Sequence, residues 1–492
     1  MRRFVQTDRP NRAEFDDACA GRHQHIEKRM MSTLVLRFSL VVGFAVFSDL
    51  AVSGADQKRI SPDSLALYAR EPDHLWNRLH VALLVRTGPD GKDYGNDRLE
   101  PLLWKDSTYL LEGQTGDRAL AILNEFDRDN AERLIEDPLR RAVLQRDLWL
   151  VSNCVSGTAD SAARQQFNQA LDKVIYRVAL TREQIANLPD NYLRTVASLK
   201  YDSRFDPNRP EQAYLPDNLF DEAGPWVCVS PVTGPSAPLH LDDRGTNPFG
   251  NSVFFVFLKL PGGKEQGLEF LRQLAALDKL LVPNTDVTTN RITSLLPHPD
   301  FPVWPKGTEV ALVRRALLID TDRQIVASRL TESIQIRVVT TDMPKLNKEV
   351  LSQISLRRPP DGWQAAFEFQ LRRIDLFEGE TGLRDVSSEQ DFKTGFNSHP
   401  RDEFDKATRS GQFPARSMPF KSNRASCTGC HNFPGAYSFN SIPGFSFGML
   451  GPINEAWRKK RPISTTVVEV EKKAIEWRTG RSSWTALIKR LP

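Results

Sequence analysis

Apolar residues recur every three or four positions through the first half of the chain, which is the spacing of amphipathic helices. The pattern predicts helices over residues 117–126, 134–151 and 162–180. Thr181 and Gln184 match a capping box, in which each side chain bonds the other residue's backbone, and they predict one further short helix. These segments together predict a mainly helical domain over residues 56–205.

The periodicity changes to that of strands after a passage rich in Pro, Asp and Asn at residues 202–216. Apolar or alternating runs predict strands at 252–260, 308–320, 324–329, 333–340 and 365–376, and one helix at 266–281. Several strands joined by long, Pro-rich connections are typical of two packed sheets. The pattern therefore predicts a β-rich, sandwich-like domain over residues 217–380.

Beyond residue 380 the chain is irregular and polar, and helical periodicity returns only at 466–478 and 482–490. The first of these helices carries Val468, Ile475 and Trp477, which is enough apolar surface to cover a flat ring. The predicted fold class is thus α+β and multidomain. It has an N-terminal helical domain, a central β-sandwich-like domain and a C-terminal irregular and helical segment at 385–492.

The start of the chain has the order of a secretory signal peptide. Arg29 and Arg37 supply positive charge, residues 38–47 are apolar, and the small residues at 51–55 offer a cleavage site. We therefore predict a signal peptide at residues 30–55, with residues 1–29 an upstream extension absent from the mature protein. The apolar run is too short to span a bilayer, so no stable membrane span is expected after cleavage. An uncleaved N-terminal anchor is the alternative.

Charge and cysteine content fit an exported protein without a polyanionic partner. The formal net charge is only +4 in 492 residues, which gives no indication of nucleic acid binding. Of the five cysteines, Cys19 precedes the predicted cleavage site, and Cys154 and Cys228 each lie in an apolar context. Those two could form a disulfide in an oxidising compartment or remain buried thiols. The predicted location is the periplasm or another exported compartment.

Cys427, Cys430 and His431 form the most informative motif, C-x-x-C-H. This spacing lets two thiols add to the vinyl groups of haem while the adjacent imidazole reaches the iron. A zinc site would need two further ligands, and no second C-x-x-C or histidine cluster lies nearby in the sequence. A redox dithiol or structural disulfide is the stronger competitor, although the residues before Cys427 are not strand-like.

Residues 427–435 resemble the attachment site of a c-type cytochrome. The resemblance covers only about residues 400–492, and residues 385–425 lack the amphipathic helix with which small cytochrome c domains open. It implies covalent haem c, thioether bonds to Cys427 and Cys430, and His431 as the proximal iron ligand. Met449, in a Gly-rich loop, is the candidate distal ligand. Met418, His399 or an open sixth position are the alternatives.

The sequence thus predicts one-electron transfer to or from an unidentified redox partner protein. A haem-dependent peroxidase or oxidase is a second hypothesis, although di-haem peroxidases need a second attachment motif. A third is an exported binding protein without haem, whose C-x-x-C is a structural or redox dithiol. No residue is assigned a catalytic role, and electron transfer is favoured over catalysis.

Overall fold

The structure is a computed structural model, and the residues it describes all belong to one compact unit, Lys58–Pro492. The described residues are 66–87, 93–95, 110–111, 113–156, 161–237, 240–241, 250–279, 281–285, 292–342, 364–387 and 461–491. The predicted signal peptide at 30–55 and the extension at 1–29 lie outside these ranges, so both stay predictions.

Helices dominate the N-terminal part of the described chain, as the periodicity predicts. They are α1 (Leu75–Leu84), α2 (Gly113–Arg128), α3 (Pro138–Ser156), α4 (Ala162–Arg177), α5 (Arg182–Ala186) and α6 (Asn191–Ala197). Pro138 opens α3, where its missing N–H costs nothing. The capping box before α5 is confirmed, because Thr181 Oγ1 accepts from the Gln184 N–H at 3.1 Å and Gln184 Oε1 accepts from the Thr181 N–H at 3.0 Å.

A seven-stranded antiparallel sheet follows, in the order β10-β9-β8-β7-β4-β3-β11. Its strands are β3 (Val227–Pro231), β4 (Ser252–Lys259), β7 (Glu309–Ile319), β8 (Ile325–Val339), β9 (Gln364–Leu371), β10 (Leu383–Asp385) and β11 (Pro462–Ser464). Two short hairpins lie outside it: β1 (Arg86–Thr87) with β2 (Asp93–Tyr94), and β5 (Leu281–Thr285) with β6 (Ile292–Pro297). The α+β class is therefore confirmed.

The two faces of this sheet border separate hydrophobic cores, and alternate residues of β4 show which is which. Val253, Phe255 and Phe257 enter the main core, which also contains the N-terminal helices. Phe254 and its neighbours at alternate positions enter a second core with α7 (Gly263–Ala276). Apart from the β5–β6 hairpin, the described strands between residues 227 and 385 thus lie in one sheet, and helices of the described chain pack against its two faces, where two facing sheets were expected.

Two predicted strand boundaries differ from the observed ones. The segments at 324–329 and 333–340 form one continuous strand, β8, and β7 accommodates it with a register shift between Arg314 and Leu317. The strand predicted to end at residue 376 stops at Leu371, and α8 (Arg373–Phe377) follows. Arg373, the first residue of α8, forms a buried ion pair with Asp147.

Both predicted C-terminal helices are present, as α9 (Val467–Thr479) and α10 (Ser482–Arg490). Helix α9 lies on the sheet with Val470 and Ala474 in the main core. Trp484 of α10 packs on Trp149 of α3, with 5.8 Å between the ring centroids. Residues of α9 and α10 therefore pack in the same hydrophobic core as the N-terminal helices. None of the helices in the described ranges is both long and apolar enough to cross a membrane.

Candidate functional site

The predicted haem ligands Cys427, Cys430, His431 and Met449 lie outside the described residues. The chemistry of the donor set is nevertheless specific: two thiols and an imidazole at C-x-x-C-H spacing fit covalent haem, which needs two thioethers and one nitrogen ligand. What the structure describes is the framework on either side of the segment 388–460, which contains all four residues.

The chain leaves the sheet for this segment from the edge strand β10. Leu383 pairs with Leu371 of β9, and the Val386 N–H donates to Glu368 O at 2.8 Å. The Glu368 N–H in turn donates to Ser387 Oγ at 2.9 Å. The last residues before the segment are therefore fixed to the sheet by one main-chain hydrogen bond and one through the Ser387 hydroxyl.

The chain returns at Arg461 and pairs at once as the opposite edge strand, β11. The Val232 N–H donates to Arg461 O at 3.2 Å, and Arg461 Nη1 donates to Ala275 O of α7 at 2.9 Å. One residue after β11 ends, the Thr465 N–H donates to Cys228 O of β3 at 2.9 Å and so continues the pairing of these strands. The return point is thus as firmly held as the departure point.

Opposite edges of one sheet therefore hold the two ends of the predicted haem segment. Six strand-to-strand steps separate β10 from β11, which at about 4.8 Å each is roughly 29 Å. The segment 388–460 is far longer than this distance requires. The C-x-x-C-H motif accordingly lies in a connection that is tied at both ends to the described body of the protein.

Most of the apolar side chains of helix α9 pack against the described body of the protein. Val470 and Ala474 are buried in the main core, and Ile475 packs against it. Trp477 packs against the second core and under the Arg481 guanidinium, 4.1 Å from the ring centroid. Of the three residues expected to cover a ring, Val468 is the exposed one, at 70%. The helix thus offers far less open apolar surface than its sequence suggests.

No disulfide joins Cys154 to Cys228, and both remain thiols. Cys154 is buried within α3, and Cys228 lies beside a cavity of about 200 Å³ at the β3–β11 edge. Burial raises the pKa of the Cys228 thiol to about 12. Since the thiolate is the nucleophile and the metal ligand, Cys228 is chemically inert at neutral pH.

A buried cluster of charges, which sequence patterns did not reveal, lies between α3 and the sheet. It contains two carboxylates, Asp147 and Glu332, and three arginines, Arg146, Arg314 and Arg373, all at most 4% exposed. Arg373 Nη2 lies 2.8 Å from Asp147 Oδ2, and Arg146 Nε lies 2.5 Å from Glu332 Oε1. The sequence signals this cluster only by placing charged residues inside otherwise apolar strands and helices.

The geometry keeps both carboxylates ionised. Burial alone would raise the pKa of Glu332, but Arg146 and Arg314, together with the Ser252 hydroxyl 2.5 Å from Oε2, hold it below the ordinary value. Burial likewise works against the Asp147 anion, and Arg373 and Arg146 overcome it, so its pKa is also lowered. The described residues contain no group of three His, Cys, Asp or Glu side chains able to hold a metal. Through the contact between Arg146 and Glu332, the cluster links helix α3 to strand β8 of the sheet.

Asp172, another buried carboxylate, behaves in the opposite way. Burial raises its pKa to about 6, against the weaker pull of Arg490 at 2.5 Å and of Ser152. A folded-state pKa above the ordinary value means that protonation stabilises the fold, and this gain appears as the pH falls through 6. From about pH 7 to about pH 5 the group should add roughly 1 kcal/mol to the free energy of unfolding.

Urea denaturation of the wild type and of Asp172→Asn at both pH values measures this gain. The variant cannot take up the proton, so the stability difference between the two proteins should shift by that amount in favour of the wild type at the lower pH. Stability curves that run parallel across the two pH values would show that Asp172 is not responsible.

The chain matches no known family model, no curated protein and no solved structure.

Proposed function

We propose that this protein is an exported, mono-haem c-type cytochrome-like protein that transfers one electron to or from a redox partner protein. The observation that carries the proposal is the C-x-x-C-H motif at Cys427, Cys430 and His431 in a chain that also has a signal-peptide pattern. Covalent haem attachment of this kind takes place outside the cytoplasm. The signal-peptide pattern and the C-x-x-C-H motif thus both favour covalent attachment of haem.

Each motif residue has a distinct role in the proposal. Cys427 and Cys430 hold the porphyrin edge through thioether bonds, and His431 donates its imidazole nitrogen to the iron. Met449 lies eighteen residues after His431 in the sequence and supplies the distal thioether sulfur, which favours the reduced state. A haem held in this way supplies a one-electron Fe(II)/Fe(III) couple.

The described body suits the role of a scaffold in this proposal. The predicted haem segment covers residues 385–492. Its cofactor-bearing part would be residues 388–460, which connect edge strands β10 and β11. Hydrogen bonds hold both flanks of that part to the body.

A pyridine haemochrome spectrum tests the proposal. The full chain is exported together with the haem-attachment machinery, purified, and extracted with acid acetone to remove haem that is not covalently bound. A c-type α-band that survives extraction supports the proposal. A colourless protein refutes it and leaves the dithiol hypothesis, and peroxide turnover by a coloured protein would favour the peroxidase hypothesis instead.

A further inference from the structure

The cavity of about 200 Å³ beside Cys228 has apolar walls. It lies where residues 219–226, strands β3 and β4, helix α7 and the start of α9 meet. Pockets that hold drug-sized molecules measure about 300–1,000 Å³, so this cavity suits a smaller ligand, of the size of a single ring. Its apolar lining includes three aromatic rings and three aliphatic side chains: Phe220, Trp226, Phe257, Val227, Leu268 and Val467.

The interior of this cavity disfavours an anion. Burial raises the pKa of the Cys228 thiol to about 12, and the Glu222 carboxylate acts in the same direction. A carboxylate or phosphate group beside this thiol would meet the same loss of hydration and the same repulsion. The first turn of α9 offers such a group little in return. There the Thr466 hydroxyl already accepts from the Glu469 N–H at 3.2 Å, and Glu469 brings its own negative charge.

Unpaired carboxylates lie on the open side of the cavity. Asp221 and Glu222 are exposed lining residues, and the described residues provide neither of them with an ion-pair partner. Asp221 Oδ1 accepts from the Ala223 N–H of the same loop at 2.9 Å. Lys264, the one cation among the described lining residues, donates to the main-chain carbonyl of Glu222. Two carboxylates and one ammonium group leave this side of the cavity net negative.

Two further cations touch the aromatic walls without lining the cavity, and both already have a counter-ion. Lys259 Nζ lies 5.5 Å from the ring centroid of Trp226. Arg315 Cζ lies 3.8 Å from the ring centroid of Phe220. Their carboxylate partners are Glu309 for Lys259, at 2.8 Å, and Asp190 for Arg315, at 3.1 Å. These two cations therefore do not offset the unpaired carboxylates on the open side.

We propose that this cavity binds a small organic ammonium ion, with a single apolar ring inside the aromatic walls and the ammonium group on the open side beside Asp221 and Glu222. The ring is stabilised because it leaves water for apolar surroundings. The ammonium group stays in contact with water and is attracted by the two carboxylates. A neutral ligand of the same shape lacks this attraction, and an anionic one is repelled. The site belongs to the described body and does not depend on haem.

Isothermal titration calorimetry of the full chain tests the proposal with three ligands of matched size: benzylammonium, benzyl alcohol and benzoate. At pH 7 and low ionic strength, benzylammonium should bind about two- to fivefold more tightly than benzyl alcohol, which is the contribution of an ion pair in contact with water. Benzoate should bind most weakly. Equal affinities of benzylammonium and benzyl alcohol, stronger binding of benzoate, or no saturable heat with millimolar benzylammonium overturns the proposal.

Two variants locate the site, and a third is the control. Asp221→Asn/Glu222→Gln removes both charges from exposed positions, and it should bring benzylammonium and benzyl alcohol to equal affinity. Cys228→Met lengthens a lining side chain and should abolish the binding of both ligands. Glu183→Gln makes the same neutral change at an exposed residue of α5, outside the lining, and it should leave both affinities unchanged.

The double variant tests the charge without altering the packing of the walls. A preference for benzylammonium that survives in Asp221→Asn/Glu222→Gln contradicts the proposed position of the ammonium group. Binding of wild-type strength in Cys228→Met, with a circular dichroism spectrum like that of the wild type, contradicts the assignment to this cavity.

Discussion

Cys427→Ala/Cys430→Ala is expected to remove covalently bound haem from the exported protein completely. Both thioether bonds depend on these two thiols, and His431 by itself can hold haem only by coordination, which acid acetone reverses. The measurement is the haemochrome α-band of the extracted variant, compared with that of the wild type at equal protein concentration. The single variants should each retain at most one thioether bond and show a shifted band, because one vinyl group stays unsaturated.

Matched controls come from the other cysteines and from Met449. Cys154→Ala/Cys228→Ala removes two thiols that lie in the described body, so the α-band should be unchanged. Met449→Ala should also keep covalent haem, since Met449 forms no thioether bond with the porphyrin, but it should lower the reduction potential. An α-band of full intensity in Cys427→Ala/Cys430→Ala would contradict the assignment of the motif.

Glu332→Gln is expected to lower the free energy of unfolding by about 3–5 kcal/mol, the cost of leaving buried charges without their counter-ion. The Glu332 side chain is fully buried, and its two oxygens compensate Arg146 at 2.5 Å and Arg314 at 3.6 Å. Glutamine keeps the volume and removes the charge, so packing changes little while Arg146 and Arg314 both lose the Glu332 anion. Urea unfolding followed by circular dichroism measures the loss as a shift in midpoint at constant slope.

Glu125→Gln is the matched control, because it makes the same substitution in a surface ion pair. Glu125 accepts two hydrogen bonds from Arg78, at 2.8 and 2.9 Å, but both side chains are about one-third exposed. A pair in such contact with water contributes about 0.2–1 kcal/mol. If the two variants lose the same small amount, the buried cluster does not hold helix α3 to the sheet.

Local patterns predicted those parts of the fold whose cause is local. The three-and-four spacing identifies α2 and α4, because each buries one face against the main core. It also marks α3, although that helix is buried on every side over residues 142–152. The capping box at Thr181 needs only four consecutive residues. The hairpin between β7 and β8 is signalled by the turn at Asp320, whose Oδ1 accepts from the Asp322 and Gln324 N–H groups.

Features that depend on distant partners could not be predicted in the same way. Edge strands β10 and β11 are three residues each and have no periodicity of their own; β9 and β3 define them. The pairing of Arg146 with Glu332 joins residues 186 apart, and nothing near either residue indicates the other. The haem motif is the reverse case, since five consecutive residues identify it, while its ligands lie outside the described residues.

The arrangement of α9 and α10 has a consequence for the order in which the fold forms. Arg478 bonds Asn153 across 325 residues of sequence, and Arg490 bonds Asp172 across 318. The N-terminal helices consequently cannot complete their core until residues 478–490 have been synthesised, and contacts of such long range form slowly. Residues 427–431 precede those residues in the chain. Under the proposed function, Cys427 and Cys430 would therefore reach the haem-attachment machinery before the core closes.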